Sequence, residues 1–463
     1  MEEHTVQQES NQTQRGASFE KSMARKSDER TIDQSEPTKI ESKDRVESEE
    51  ECDAAADEEI PHITFPDGGL RAWMVVFGVA CGTCGTFGFV NAWGVFQAYY
   101  EETLLPDTSP STIAWIGSIQ YALVFMPGLV LGRLFDMGYF KLPLLVSSCI
   151  LVAAAFLVAE CKEFWQFLLC QGIAVGLASG SIFGPIMGIL AHWFEKRINL
   201  AYASMSLGSS VGGTVFPIAV RNLIEHVGFK WTMRIMGFII LMLLGICNLT
   251  VDRRLPPNNK SGSFINLAAF RFMPYTLYTV AALVNWLGLY TVLTYIDVSA
   301  AQAGVPQTFS FYLLPIANAG SAFGRLSGGI IADHIGQLNV MIPATLIAGV
   351  MTYVWPAAKS VGANVAVALL YGMSSGVYAS LVATPIVAMG ERHDVGQRIG
   401  MAFMLLAMGA LAGPPISGAI YDSTGTYKWV GIYAGTTVEI GVILMLMSRY
   451  LLAKDSGGMF AKL

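Results

Sequence analysis

From residue 72 to residue 452 the chain is a succession of long apolar runs separated by short polar turns. A helix needs about 20 apolar residues to cross the hydrocarbon core of a bilayer. Runs of about that length can be drawn at 72–97, 111–131, 142–159, 164–190, 201–222 and 231–251, then at 274–296, 309–331, 339–357, 364–389, 399–420 and 429–452. Backbone N–H and C=O groups must pair internally in lipid, so such runs are read as helices. The polar stretch from Asp252 to Ser263 splits them into two sets of six. The expected fold is an all-α membrane protein with twelve transmembrane helices in two pseudo-symmetric six-helix halves. Its expected segments are a tail (1–66), a first half (67–251), a linker (252–273), a second half (274–453) and a short C-terminal tail (454–463).

Composition supports this and excludes an ordinary water-soluble domain: 53% of residues are hydrophobic and 14% charged. Charge is unevenly spread. Residues 1–66 hold 18 of the 35 acidic residues and 8 of the 29 Lys and Arg, leaving 17 acidic and 21 basic in the rest. The tail is acidic, polar and almost free of aromatics, which predicts a disordered cytosolic extension. It has no apolar core with a cleavage site, so no secretory signal peptide is expected. With both termini in the cytosol, ten Lys and Arg fall in inside loops and six outside, the expected sign of the bias. Cys81-Gly-Thr-Cys84 has redox-motif spacing but lies in an apolar helix, where packing cysteines are the better reading.

One short turn occurs twice. Gly132-Arg133-Leu-Phe-Asp136-Met-Gly138 ends the second run, and Gly329-Ile-Ile-Ala-Asp333-His-Ile-Gly336 ends the eighth. Internal duplication is how many secondary transporters are built. The Asp can cap the following helix and pair with a base, here Arg133 or Lys141, while the Gly permits a tight crossing. Such a latch would hold one end of the bundle shut and release it when the halves rock. Gly172, Gly176, Gly180, Gly184 and Gly188 form a smooth stripe that suits either static packing or sliding.

Ionisable groups inside spans are functional candidates by default. All six histidines lie in the tail or in loops, so no intramembrane His relay is expected. Arg325 stands inside the eighth run and is the leading candidate to meet an anionic group of a substrate; Glu439, in the last run, is weaker. Asn91, Tyr290 and Asn318 complete the candidate substrate-binding set. Walker, metal-ligand and catalytic-triad spacings are missing from the sequence, so no cofactor, metal or enzyme activity is expected.

The duplicated turn resembles the signature of the major facilitator superfamily between helices 2 and 3 and again between 8 and 9. Pro66-Asp67-Gly68-Gly69-Leu-Arg-Ala-Trp73 resembles a motif of the monocarboxylate-porter family within it. Trp193-Phe194-Glu-Lys196-Arg197-Ile-Asn-Leu-Ala201 resembles that family's second signature. The acidic tail and Asn91-Ala-Trp-Gly-Val-Phe-Gln-Ala-Tyr-Tyr100 resemble its fungal branch, which holds uptake carriers and exporters linked to secondary metabolism. Two departures stand out. Asn91 occupies the place of a lysine in proton-coupled lactate carriers, and Ser321 that of their span 8 aspartate, while Arg325 matches their arginine. Both departures argue against proton–lactate symport.

The resemblance implies an alternating-access carrier of a small organic acid or a carboxylated, polyketide-like metabolite, moved outward across the cell membrane or an organelle membrane such as the vacuole's. Its partners would be a small anionic substrate, the lipid bilayer and protons as candidate coupling ion, with no nucleic acid. The competing readings are uptake of a monocarboxylate or a riboflavin-like vitamin, and a non-transporting nutrient sensor signalling through its tail.

Overall fold

The computed structural model describes residues 66–256, 265–391 and 394–455. Most of the acidic tail, linker residues 257–264 and the last eight residues lie outside the described residues. Among the described residues, ten helices are long and apolar enough to cross a membrane. We label them in chain order: α1 (Gly69–Leu104), α2 (Thr112–Asp136), α3 (Lys141–Val158), α4 (Phe164–Trp193), then Ile198–Thr250, α7 (Met273–Gln302), α9 (Gln337–Ala357), α10 (Val361–Ala388), α11 (Val395–Thr424) and α12 (Tyr427–Lys454). The fifth of these is two helices, because Gly228 leaves helical geometry at φ 74°, ψ 165°. Residues 198–227 form α5 and 229–250 form α6. Leu313–Ile335 supplies α8; it is 23 residues long and carries Arg325 and Asp333.

Most helices run a few residues past the apolar runs, because local signals and not hydropathy set their ends. The Ser109 side chain caps α2 by accepting from Thr112 N–H at 3.3 Å, and Ser360 caps α10 from Ala363 N–H at 3.2 Å. Glu163 and Gln166 form a reciprocal capping box at the start of α4. In each duplicated turn the second glycine takes the left-handed backbone that ends a helix: Gly138 at φ 101° and Gly336 at φ 96°.

Two helices that hold equivalent places in the two sets break at equivalent points. Asn91 and Ala92 interrupt α1, and Leu289 and Tyr290 interrupt α7. At the first break the ladder tightens, with Ala92 N–H donating to Phe89 O at 3.1 Å, just after a π-helical stretch, Cys84–Gly88. Gly88 sits against Gly212 of α5 so closely that a Cβ would lie 2.7 Å from the Gly212 Cα. The glycine stripe of α4 packs along α2, where a Cβ on Gly184 would meet the Gly128 Cα at 3.1 Å. That stripe is packing inside the first six helices.

Large apolar side chains such as Leu142, Leu249, Phe323 and Ile443 point outward. A surface so apolar needs a non-aqueous cover. The six described cysteines are all free, Cys81 and Cys84 included.

Candidate functional site

Each duplicated aspartate reaches across to the other set of six helices. The Asp136 carboxylate accepts from Gly396 N–H at 3.0 Å and Gln397 N–H at 2.7 Å, at the start of α11. The Asp333 carboxylate accepts from Asn199 N–H at 3.0 Å and Leu200 N–H at 3.1 Å, at the start of α5. A helix start has unpaired N–H groups and a partial positive charge, so a carboxylate is its natural partner. Hydrogen bonds to a charged group contribute about 1.5–3 kcal/mol each.

This corrects the expected pairing. Asp136 caps neither the following helix nor a base. Lys141 instead pairs with Asp252 at 2.7 Å and donates to Asn248 O at 3.0 Å, because α6 ends beside the start of α3. Arg133 is 5% exposed, and the bonds to the Asp136 carboxylate come from the α11 backbone. The glycines explain how the capped helix comes so near. A Cβ on Gly132 would overlap Gly396 O, and one on Gly400 would overlap Gly128 O, so α2 and α11 cross backbone on backbone. Gly329 meets the Ala203 side chain and, at 2.9 Å for an added Cβ, Asn199 O.

The start of α5 carries a second clasp. Asp67 Oδ1 accepts from the backbone of Glu195 and Lys196 at 2.7 Å and of Arg197 at 3.3 Å. Asp67 takes φ 48° to do so and Gly69 φ 82°, while Trp73 meets Phe194 edge-on with centroids 5.5 Å apart. The two sequence motifs around Asp67-Gly68-Gly69 and Phe194-Glu-Lys196-Arg197 are therefore two sides of one contact. Lys196 and Arg197 serve it through backbone N–H. Linker residue Arg253 continues this surface, donating to the carbonyls of Phe135 and Asp136 and lying 5.1 Å over the Phe135 ring. Burial draws the Arg253 guanidinium below its ordinary value, and the Asp136 charge opposes that. At the other end of the bundle, hydrogen bonds from Lys230 and Arg234 hold the Glu160 carboxyl below its usual range.

Between the two sets lies a cavity of about 30 Å³, room for roughly two water molecules. Asn91, Tyr290, Asn318, Ser321 and Arg325 all line it. The helix breaks in α1 and α7 place Asn91 and Tyr290 there. Tyr121 of α2 donates to Asn91 Oδ1 at 2.8 Å and meets the Tyr290 ring at 4.9 Å. Asn318 Nδ2 donates to Gly213 O of α5 at 3.1 Å.

Arg325 has protein partners that its sequence context did not reveal. Its Nη1 donates to Ser206 O at 2.6 Å and to Ser209 Oγ, both on α5, and its Nε donates to Ser321 Oγ at 3.1 Å. Ser321 thus offers Arg325 a neutral acceptor one helical turn away. Nη2 bonds to no described residue. Near the opposite ends of the same two helices, the Arg221 guanidinium lies 4.4 Å over the Phe311 ring. Glu439 is half-buried against Gly349 of α9, apart from the cavity.

The sequence profile of the Major Facilitator Superfamily matches residues 75–391. The chain belongs to the major facilitator superfamily. An "MFS-type transporter 1" of Ophiocordyceps is 38% identical over 395 residues, 85% of this chain and 88% of the relative. An "Aspyridones efflux protein" of Emericella nidulans is 34% identical over 395 residues, covering 85% of this chain and 80% of its own. A "Fujikurins efflux protein" of Gibberella fujikuroi is 36% identical over 393 residues, 83% of this chain and 84% of the relative. The human transporter MFSD10 shares the fold at TM-score 0.64 and 15% identity, over 81% of this chain and 98% of its own. This superfamily member is a multi-pass membrane transporter and not an enzyme.

Proposed function

We propose that this transporter exports a small organic acid, a carboxylated or polyketide-like metabolite, by alternating access through the cavity around Arg325. The carrying observation is that cavity: the second set of helices lines it, Asn91 of the first set closes it, and one guanidinium stands in it beside neutral amides and hydroxyls. The names of the two efflux proteins among its relatives favour outward movement. In this reading the termini and the Asp136 and Asp333 latches face the cytosol, the membrane is the plasma membrane, and protons are the coupling ion.

With both latches formed, the cavity is too small for a metabolite, so loading requires them to release. A carboxylate entering from the cytosol then competes with Ser206 O and Ser209 Oγ for Arg325. Once Arg325 turns to the substrate, a cross-seam tie is exchanged for a substrate tie, and the halves can rock about the bound anion. An arginine in hydrocarbon costs about 2.5–3.5 kcal/mol on insertion scales, which is why it stays partnered in either state.

The direct test is a deletion strain. Culture medium and cell extracts are profiled for organic acids with and without the gene. Retention of an acidic metabolite in the deletion, restored by wild type and not by Arg325→Gln, is expected. Unchanged profiles in both compartments would contradict export, and a metabolite lost from the cells instead would indicate uptake.

A further inference from the structure

Two thiols meet at the turn between α3 and α4. Cys161 stands just past the end of α3, and Cys170 lies near the start of α4. Their side chains are within hydrogen-bonding reach of each other. Among the described cysteines, only Cys161 lies outside a helix.

The local structure brings the pair together and holds it. Turns fold the chain back after α3: Glu160 N–H donates to Leu157 O at 3.0 Å and Cys161 N–H to Val158 O at 3.3 Å. The Cys161 thiol itself donates to Leu157 O at 3.4 Å. From the other side, Gln166 Oε1 accepts from Lys162 N–H at 2.7 Å and Glu163 N–H at 3.2 Å, within the capping box that starts α4. Cys170 then falls in a π-helical stretch, Leu168–Val175. A π turn holds an extra residue, so it rotates its side chains relative to a regular helix, and such turns gather at functional sites. α3 starts beside the Asp136 turn and crosses the bundle, so this turn lies at the end opposite the latches. With the latches toward the cytosol, it faces an oxidising compartment, where disulfides form and persist.

We propose that Cys161 and Cys170 are joined by a disulfide in the mature transporter, a covalent staple across the α3–α4 turn on the outer face. The inference rests on the orientation given under the proposed function. The bond forms by exchange with a small-molecule disulfide such as oxidised glutathione. One cysteine sulfur attacks the donor disulfide and releases a glutathione thiol; the second attacks the mixed disulfide and releases another. Two protein thiols are oxidised, the donor disulfide is reduced, and the two protons pass to the released thiols. Burial and the neighbouring Cys170 push the Cys161 thiol up to about 12, which keeps it protonated and slow to react once folded. The bond is therefore made while the chain folds. It fixes the stretch of α4 that carries Gln171, which accepts a hydrogen bond from Tyr100 of α1. Beside it Glu160 pairs with Lys230 at 2.9 Å and Arg234 at 2.8 Å. Covalent and ionic ties then hold α3, α4 and α6 together at the outer end of the first set.

The test counts thiols in the full-length protein. It would be denatured with N-ethylmaleimide to cap free thiols, then reduced and treated with a polyethylene glycol maleimide. Wild type is expected to take up two polymer adducts, and Cys161→Ser and Cys170→Ser none. No adduct on wild type, or two adducts persisting in either variant, would overturn the bridge. Orientation is read separately at the exposed Lys162. Lys162→Cys, in the Cys161→Ser, Cys170→Ser double variant, is treated with a membrane-impermeant maleimide on intact protoplasts, with the double variant as background. Labelling without permeabilisation is expected. That labelling together with no adduct on wild type would sink the bridge and leave the orientation standing. Labelling only after permeabilisation would overturn the orientation, and the oxidising-face argument with it.

Discussion

The two seams between the helix sets are built from opposite materials. Where α2 crosses α11, Gly128 and Gly132 face Gly396 and Gly400 backbone to backbone, and one nearly fully buried aspartate, Asp136, caps the facing helix. Where α5 meets α8, the contact is polar along much of its length. Asp333 caps α5, Arg325 bonds Ser206 and Ser209, Asn318 bonds Gly213 O, and Arg221 covers Phe311. A backbone crossing offers a single close geometry, because its facing glycines have no side chain to change rotamer. A polar seam can exchange partners, with a substrate or water replacing a protein acceptor. The cavity residues Arg325, Ser321 and Asn318 all belong to the polar seam. In this account the glycine seam sets the closed geometry and the polar seam senses what is bound.

The largest expected effect tests the glycine seam. Gly132→Ala should lower transport by about 100-fold or more, because the added methyl overlaps a carbonyl that no neighbouring substitution can remove. Gly329→Ala should also impair transport, but Ala203→Gly should restore part of it, since there one of the clashing atoms is a side chain. Transport assays on the single and double variants check both. Equal rescue at both seams would break the distinction.

Next in size is Arg325. Its replacement by Gln should reduce transport of an acidic substrate by about tenfold to 100-fold, and should spare the methyl ester. Arg325→Lys keeps the charge but loses the fork that spans Ser206, Ser209 and Ser321, and should fall between. Equal losses for acid and ester would make the arginine a purely structural tie.

The aspartates come third. Asp136→Asn leaves one α11 N–H facing an amide NH₂ in a nearly dry crossing. It should shift the gate by about 1–3 kcal/mol, on the order of tenfold in its equilibrium. Asp333→Asn should cost less, since Asp333 is half-buried and Asp67 still holds the preceding turn. Smallest is Asp67→Asn alone. Combined with Asp333→Asn it should exceed the sum of the two, because both carboxylates hold the start of α5. Purely additive losses would show that the clasps act independently.

Much of this was legible in the chain. Twelve apolar runs, a duplicated Gly–Asp turn and one arginine in a span are signals carried by side chains and their spacing. Asn91, Tyr290, Asn318 and Arg325 could be singled out because polar groups are costly in lipid, and the fold brings all four to one cavity. The partners of the aspartates were not legible. Asp136 binds backbone N–H groups some 260 residues away, and every residue but proline has one, so no residue type marks them. For the same reason Arg133 and Lys141 were the expected but mistaken partners: a nearby base can be read from sequence, and a distant helix start cannot. The helix breaks at Asn91–Ala92 and Leu289–Tyr290 were missed although Asn, Gly and aromatics cluster at both, because hydropathy runs through them unchanged.

The account turns on Asp136 and Asp333 holding one end of the bundle shut. Spin labels at the exposed positions Tyr139 and Glu391 report across the glycine seam, and labels at Lys196 and Ile335 across the polar seam. Pulsed dipolar distances would be recorded in lipid without substrate, for wild type and for the Asp136→Asn, Asp333→Asn double variant. The account predicts a dominant short distance for both pairs in wild type, and a longer population in both pairs once the carboxylates are lost. Distributions identical to wild type in the double variant would contradict it.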